Sequence, residues 1–411
     1  MAHGNTALRI SQDEAARVEQ EAKRRLLKSR KLSLVVDLDQ TIIHATVDPT
    51  VAEWQDDVTN PNYEAVKDVR KFQLVDDQPS RGCWYYIKLR PGLQKFLENI
   101  SKIYELHIYT MGTRAYAVNI AAIVDPDRKI FGDRILSRDE SGSMTAKNLQ
   151  RLFPVDTKMV VIIDDRGDVW NWSDNLIKVK PYDFFVGIGD INSSFLPKRD
   201  ELPSEDKPIE SPSPKEAVTT DTTADETQPA LTSVGADSAL SKQLKTMSGS
   251  DDPDSIKHKT EEQGEVIAAQ LEDRPLLRKQ KQLDDADQEA AAEEAATVAE
   301  QNGDTPETPT TPAKPRHNLL QNDDTELEHL ERALRSVHST FYDQYEKSTA
   351  GTRGGRIAEL KGQRSPKKRP SEDLETVPDV KEIMPDMKEQ VFKDVVMVFS
   401  GVVPLGTYAK K

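Results

Sequence analysis

An α/β fold built on a parallel sheet is what this sequence predicts, and three observations carry that reading. Apolar runs at 32–38, 104–110 and 159–163 have the make-up of strands buried on both faces. The stretches between them place apolar residues at helical spacing. Strands that alternate with helices need crossover connections, which give a parallel sheet flanked by helices.

Taken in order, Ser11-Gln12-Asp13-Glu14 is a capping-box pattern. Ala15, Val18, Ala22, Leu26 and Leu27 follow at helical intervals, which predicts a helix over 12–29. Residues 1–28 are therefore set apart as an N-terminal helix ahead of a domain spanning 29–190. Within that domain Tyr85 to Leu89 is a further strand. Pro91-Gly92 opens a helix with Leu93, Phe96, Leu97 and Ile100 on one side, and another helix is expected over about 113–123. Residues from about 45 to 84 interrupt the alternation. They carry Asp56-Asp57 and Asp76-Asp77 and read as a small insertion over one edge of the site.

From 197 to 321 Pro, Ser, Thr, Asp, Glu and Gln dominate, as in Pro203-Ser204-Glu205-Asp206. Such a segment has too little apolar surface to offset its ordering entropy, so it is expected to be a disordered acidic linker, with a transient helix near 287–300. A helical segment is expected over 322–394. Leu327, Leu330, Leu334, Val337 and Phe341 form one apolar face, a basic loop lies at 361–369, and a second helix is expected over 377–392. Val395 to Gly401 reads as a strand and turn.

Composition limits the functional classes. Of 411 residues, 36% are hydrophobic and 31% charged, which implies a true core diluted by solvated segments. The net charge of −15 opposes non-specific contact with phosphate backbones, so no direct nucleic-acid partner is expected. The lone cysteine, Cys83, can build neither a disulfide framework nor a thiolate zinc site, in keeping with a reducing compartment. No apolar leader or membrane-length run is visible, and no membrane role is expected.

The informative residues sit at strand ends, where sites form in parallel α/β sheets. Asp37 and Asp39 follow the first strand, Thr110 closes a second, and Asp164 and Asp165 close a third. Lys147 lies in a polar stretch just before that third strand. Phosphoryl transfer has a use for each. One carboxylate attacks phosphorus. A second, two residues on, serves as general acid and then base. Crowded carboxylates call for a cation, and magnesium takes oxygen ligands. Thr110 and the amides of Met111 and Gly112 can hold phosphate oxygens, and Lys147 can neutralise them. Each feature alone has a plain structural reading: a strand cap, a turn, a solvated lysine. Their order along the chain is what points to chemistry. His44, Cys83 and Trp84-Tyr85-Tyr86 read as structural.

Asp37-Leu38-Asp39-Gln40-Thr41-Ile42-Ile43-His44 resembles the signature of the haloacid-dehalogenase superfamily, in the version of the RNA polymerase II C-terminal-domain phosphatases of the TFIIF-associating type. Leu89-Arg90-Pro91-Gly92, Tyr109-Thr110-Met111-Gly112-Thr113-Arg114-Ala115-Tyr116-Ala117 and Ile163-Asp164-Asp165-Arg166 are similar to that family too. The resemblance covers about 29–190 and implies a Rossmann-like phosphatase domain. It implies a nuclear protein serine/threonine phosphatase, active as a monomer on the phosphorylated heptad tail of the polymerase, with TFIIF as a further partner. By position it makes Asp37 the nucleophile and Asp39 the acid/base. Thr110, Met111, Gly112 and Lys147 would bind phosphate. Magnesium would be held by Asp37, the backbone carbonyl of Asp39, and Asp165. Asp164 would support the site, and Arg90 and Asp125 would contact substrate. Val398-Phe399-Ser400-Gly401-Val402 is similar to the start of a BRCT domain, of which 395–411 would be a truncated piece. Pro366-Lys367-Lys368-Arg369-Pro370 reads as a nuclear import signal. Two other readings stand beside this one: a phosphatase of small molecules or nucleic-acid ends on the same fold, and a non-catalytic transcription scaffold.

Overall fold

The computed structural model describes residues 12–74, 82–141, 143, 145–192, 253–301, 318–352, 377–391 and 393–396. The basic loop 361–369, the import-signal motif and nearly all of 395–411 lie outside the described residues.

The central sheet follows from the apolar runs. Strand β1 (Leu32–Val36) is buried at every position. It pairs in parallel with β5 (Tyr104–Tyr109) on one side and β7 (Val160–Asp164) on the other. Short strands β6 (Ile135–Leu136) and β8 (Leu176–Lys178) extend the edges, giving the order β6-β5-β1-β7-β8, all parallel. Val36 stands opposite both Ile108 and Ile163, so the three inner strands end level. That register places Asp37, Thr110 and Asp164 along one edge. Helix α1 (Gln12–Ser29) precedes the sheet. Helix α4 (Leu93–Ile100) buries Leu93, Phe96, Leu97 and Ile100 against it. Helix α5 (Arg114–Val124) starts on Thr113, whose side chain accepts from the amide of Tyr116.

The insertion is built differently from the sheet it interrupts. Strand β4 (Cys83–Leu89) does not join the parallel sheet, as the alternation suggested. It lies between β2 (Ile43–Thr46) and β3 (Arg70–Leu74) in a separate antiparallel sheet, with helices α2 (Thr50–Asp56) and α3 (Tyr63–Val66) in the connection. His44 is buried there. Its Nδ1 accepts from the amides of Phe184 and Phe185 at 2.9 and 3.1 Å, and its Nε2 donates to the carbonyl of Ile188 at 3.0 Å. Burial pulls its pKa down to about 4, so the ring is a neutral brace.

Part of the stretch expected to be disordered is helical. After α6 (Arg138–Ser141), α7 (Pro253–Asp273) and α8 (Pro275–Gln301) fall inside 197–321. Pro275 opens the second helix, and Arg274 turns the chain between them at φ 46°. Composition averages hid the reason: a few side chains in each helix meet partners on the insertion. Gln270 Oε1 accepts from Thr46 Oγ1 at 3.1 Å, Leu276 is fully buried with its amide on Asp48 Oδ2 at 2.9 Å, and Gln280 Oε1 accepts from Asn62 Nδ2 at 2.8 Å. Tertiary contacts order a helix that propensity alone would leave marginal.

The far end of the chain returns to the main core. Helix α9 (Glu326–Thr352) packs its Leu327, Leu330, Leu334, Val337 and Phe341 face into the same apolar cluster as α4 and β1. Tyr104 donates its hydroxyl to the carbonyl of Leu334 at 2.8 Å. Helix α10 (Val380–Val391) adds Val380, Ile383 and Met384.

Candidate active site

A pocket at the level ends of β1, β5 and β7 is lined by Asp37, Asp39, Met111, Lys147, Asp164, Asp165, Arg166, Val169, Asp190 and Asn192. The shared register of the three strands brings the aspartates there. Lys147 comes from the loop before β7. Its amide donates to the carbonyl of Val169 at 2.9 Å, and its ammonium sits 5.7 and 5.6 Å from the ring centres of Tyr109 and Trp170. From that aromatic seat Nζ donates to Asp37 Oδ1 at 2.5 Å and Asp164 Oδ2 at 2.7 Å.

Asp164 is held by two more donors: Trp170 Nε1 at 2.7 Å on Oδ2, and the Arg166 amide at 2.7 Å on Oδ1. Thr41 fixes Asp165, accepting from its amide at 3.1 Å and donating to Oδ1 at 3.4 Å. Gln40 precedes Thr41 with a φ of 56°, a left-handed turn that non-glycine residues adopt at a cost. Its carbonyl is bonded by the Tyr182 amide at 2.7 Å, which secures the turn.

Asp39 has neutral company. Tyr116 donates its hydroxyl to Oδ1 at 2.5 Å, and Asn192 Nδ2 donates to Oδ2 at 3.0 Å. Gly112 lets Tyr116 reach it: a Cβ there would come within 2.6 Å of Tyr116 Cδ1. Thr110 is fully buried beside the pocket, and its Oγ1 accepts from the Gly112 amide at 3.0 Å.

Electrostatics follow from five carboxylates, those of Asp37, Asp39, Asp164, Asp165 and Asp190, lining a pocket with the Lys147 ammonium and the Arg166 guanidinium. Burial raises the Asp37 pKa well above the usual carboxylate range; Asp164 adds to the rise and Lys147 opposes it. Burial also raises Asp39, to about 6, against the bonds from Tyr116 and Asn192. Burial alone would lower Lys147, but Asp164 and Asp37 outweigh it and hold the group protonated. Carboxylates outnumber the cations of the pocket, Lys147 and Arg166. Carboxylate oxygens of Asp37, Asp164 and Asp165 lie within 4.8 Å of one another, an all-oxygen set that fits a hard divalent cation.

Two expected substrate contacts lie elsewhere. Arg90 is 1% exposed. Its guanidinium donates to both oxygens of Asp324 at 2.8 Å and to the carbonyls of Thr41 and Lys180 at 2.8 and 2.9 Å. It clamps the chain ahead of α9 to the loop that carries Asp37 and Asp39 and is not presented to the pocket. Asp125 is buried at the end of α5, where its carboxylate accepts from the amides of Lys129, Ile130 and Phe131 at 3.0, 2.9 and 2.8 Å. It caps a turn. Tyr116, Thr41, Trp170 and Asn192 have roles in the site that the sequence did not assign them. Tyr116 and Thr41 fall within the quoted motifs, while Trp170 and Asn192 carry no local signal.

A parallel α/β sheet with an Asp-x-Asp loop after its central strand and a Lys/Asp-Asp cluster facing it is the organisation of the haloacid-dehalogenase class. The NLI interacting factor-like phosphatase family matches residues 32–202. Among similar proteins, the RNA polymerase II C-terminal domain phosphatase of Schizosaccharomyces pombe is 42% identical over 99% of this chain and 52% of its own length. The Saccharomyces cerevisiae protein of the same name is 40% identical over 98% and 51%. The chain thus spans about half the length of the curated relatives it matches. A solved structure, of the fission yeast RNA polymerase II CTD phosphatase Fcp1 bound to beryllium fluoride, aligns with a TM-score of 0.63 and 39% identity over 95% of this chain and 80% of that one. On that identity and coverage, this chain belongs to the RNA polymerase II C-terminal domain phosphatase family.

Proposed function

We propose that the chain is a magnesium-dependent protein serine/threonine phosphatase that acts on the phosphorylated heptad tail of the RNA polymerase II largest subunit through an aspartyl phosphate on Asp37. The observation that carries the reading is the pairing of two buried aspartates two residues apart with opposite surroundings: Asp37 among charges, Asp39 between neutral donors. The names of the relatives support the substrate class. Beryllium fluoride, which stands in for a phosphoryl group, is bound in the structure of one of them.

Asp37 attacks phosphorus, and the bond to the seryl oxygen breaks. Asp39 gives that oxygen its proton. It then takes a proton from the water that cleaves the acyl phosphate, which releases inorganic phosphate, frees the Asp37 carboxylate and returns Asp39 to its acid form. Lys147 holds Asp37 in place and balances charge on the transferring group, with Thr110 and the Met111 and Gly112 amides as the remaining phosphate cradle. Asp164, whose oxygens already take three donors, orients Lys147. Asp37, the backbone carbonyl of Asp39, and Asp165 would hold magnesium, which supplies the charge neutralisation that lets an anionic nucleophile meet an anionic ester. The same reading places the protein in the nucleus as a monomer, with TFIIF as a contact.

The test uses the full chain with magnesium and a panel of phosphates. A doubly phosphorylated heptad peptide is turned over, and Asp37→Asn lowers the rate by at least about a thousandfold with the fold intact. Retained activity in Asp37→Asn would sink the nucleophile assignment. Equal turnover of sugar phosphates would sink the substrate class.

A further inference from the structure

Asp39 is held by a donor that is itself held from far along the chain. Asn192 Oδ1 accepts from Gln263 Nε2 at 3.1 Å, and Gln263 Oε1 accepts from Arg138 Nη1 at 3.3 Å. With Asn192 Nδ2 on Asp39 Oδ2, every bond in the chain runs the same way. A guanidinium stands at one end, a carboxylate at the other, and two carboxamides lie between. Bonds aligned in this sense polarise one another. They also fix the way each amide faces, because turning either one round sets donor against donor or oxygen against oxygen. Asn192 is buried, and its own amide is bonded to Asp190 Oδ1 at 2.7 Å, so the relay hangs on a fixed backbone. Gln263 sits on α7, outside the 32–202 span that matches the phosphatase family.

We propose that Asn192 and Gln263 are positioning residues for the acid–base step, so that α7 completes the active site from outside the phosphatase-homology region. The proposal rests on Asp39 being the acid–base group. The rotation of an aspartate about its last torsion is soft and roughly two-fold. One bond to one oxygen leaves the carboxylate free to pivot. Tyr116 on Oδ1 and Asn192 on Oδ2 together fix its plane, and Gln263 prevents Asn192 from presenting its oxygen to Asp39 instead.

The experiment compares two esters with the full chain and magnesium. A seryl oxygen needs a proton as it leaves; a nitrophenolate does not. Because kcat/KM reports the steps up to ester cleavage, loss of a well-placed acid shows on the phosphoserine heptad peptide and is muted on 4-nitrophenyl phosphate. Gln263→Met keeps the helix and its packing. It lowers kcat/KM on the peptide about tenfold, with less than about threefold on the aryl ester and no rise in the peptide KM. Asn192→Ala falls further in the same sense. Gln263→Glu falls at least as far as Gln263→Met, since a carboxylate cannot donate to Asn192. Equal losses on both esters, no loss on either, or a loss carried in KM alone would overturn the relay. Asp39→Asn is the reference. A selective loss there without one in Gln263→Met rejects the relay alone. Full peptide activity in Asp39→Asn rejects the acid–base assignment and the relay with it.

Discussion

Asp37 and Asp39 stand two residues apart in the same loop, yet their neighbourhoods have little in common. Asp37 meets an ammonium and, through it, Asp164 at the end of β7. Asp39 meets a phenol from α5 and a carboxamide near the end of the domain, with no charged group among those bonds. The first environment raises the carboxylate's pKa and needs a further cation beside Lys147 to keep it anionic. The second suits a group that must gain and lose a proton. Spacing alone cannot assign these roles; the surroundings of the two carboxylates can.

The largest test of that contrast removes the charge on one side. Lys147→Met leaves Asp37 and Asp164 buried without their partner, which costs about 3–5 kcal/mol of stability in metal-free protein as read by urea unfolding. A loss under about 1 kcal/mol would mean the pair is solvated in solution.

A smaller effect is read from pH. Asp39 is raised to about 6, and Asp37 is raised as well. Carboxylates raised in the fold bind protons that the unfolded chain releases, so their stabilising effect is complete below about pH 4 and lost as pH climbs through 6. Metal-free protein therefore loses stability over that window. Magnesium, which competes with protons for these oxygens, raises Tm more at pH 8 than at pH 5. An equal increment at both pH values would show that the ion does not bind this cluster.

The smallest test is on the neutral side. Tyr116→Phe removes one donor and leaves Asn192 in place, a loss of about 1 kcal/mol in transition-state stabilisation, or about fivefold in kcat/KM on the peptide. A loss as deep as that of Asp39→Asn would mean the phenol itself transfers the proton.

The sheet was legible because buried parallel strands declare themselves as apolar runs, and their shared edge follows from strand order. Asp37, Asp39, Asp164 and Asp165 were therefore readable as a group, with Lys147 joined to them from the polar stretch before the third strand. The burial of Arg90 was not legible, because an arginine after a strand looks exposed until Asp324, 234 residues later, covers it. Asn192 and Gln263 gave no signal, since a carboxamide in a polar loop or helix looks like any solvated one. The helices at 253–301, apart from the transient one expected near 287–300, were missed for a related reason. A handful of buried positions such as Leu276 order them, and an average over the 125 residues from 197 to 321 erases those positions.

The return of α9 to the main core has a consequence in time. Tyr104 finds its carbonyl partner on Leu334, 230 residues away, and the apolar face of α4 is covered by the same helix. On a ribosome adding about 5–20 residues per second, β8 emerges roughly 7–30 s before the start of α9. Through that interval the catalytic sheet is synthesised in full while one flank of its core still faces water. The nascent chain is most exposed to aggregation and to chaperones at the very stage when Asp37, Asp39, Lys147, Asp164 and Asp165 are all present.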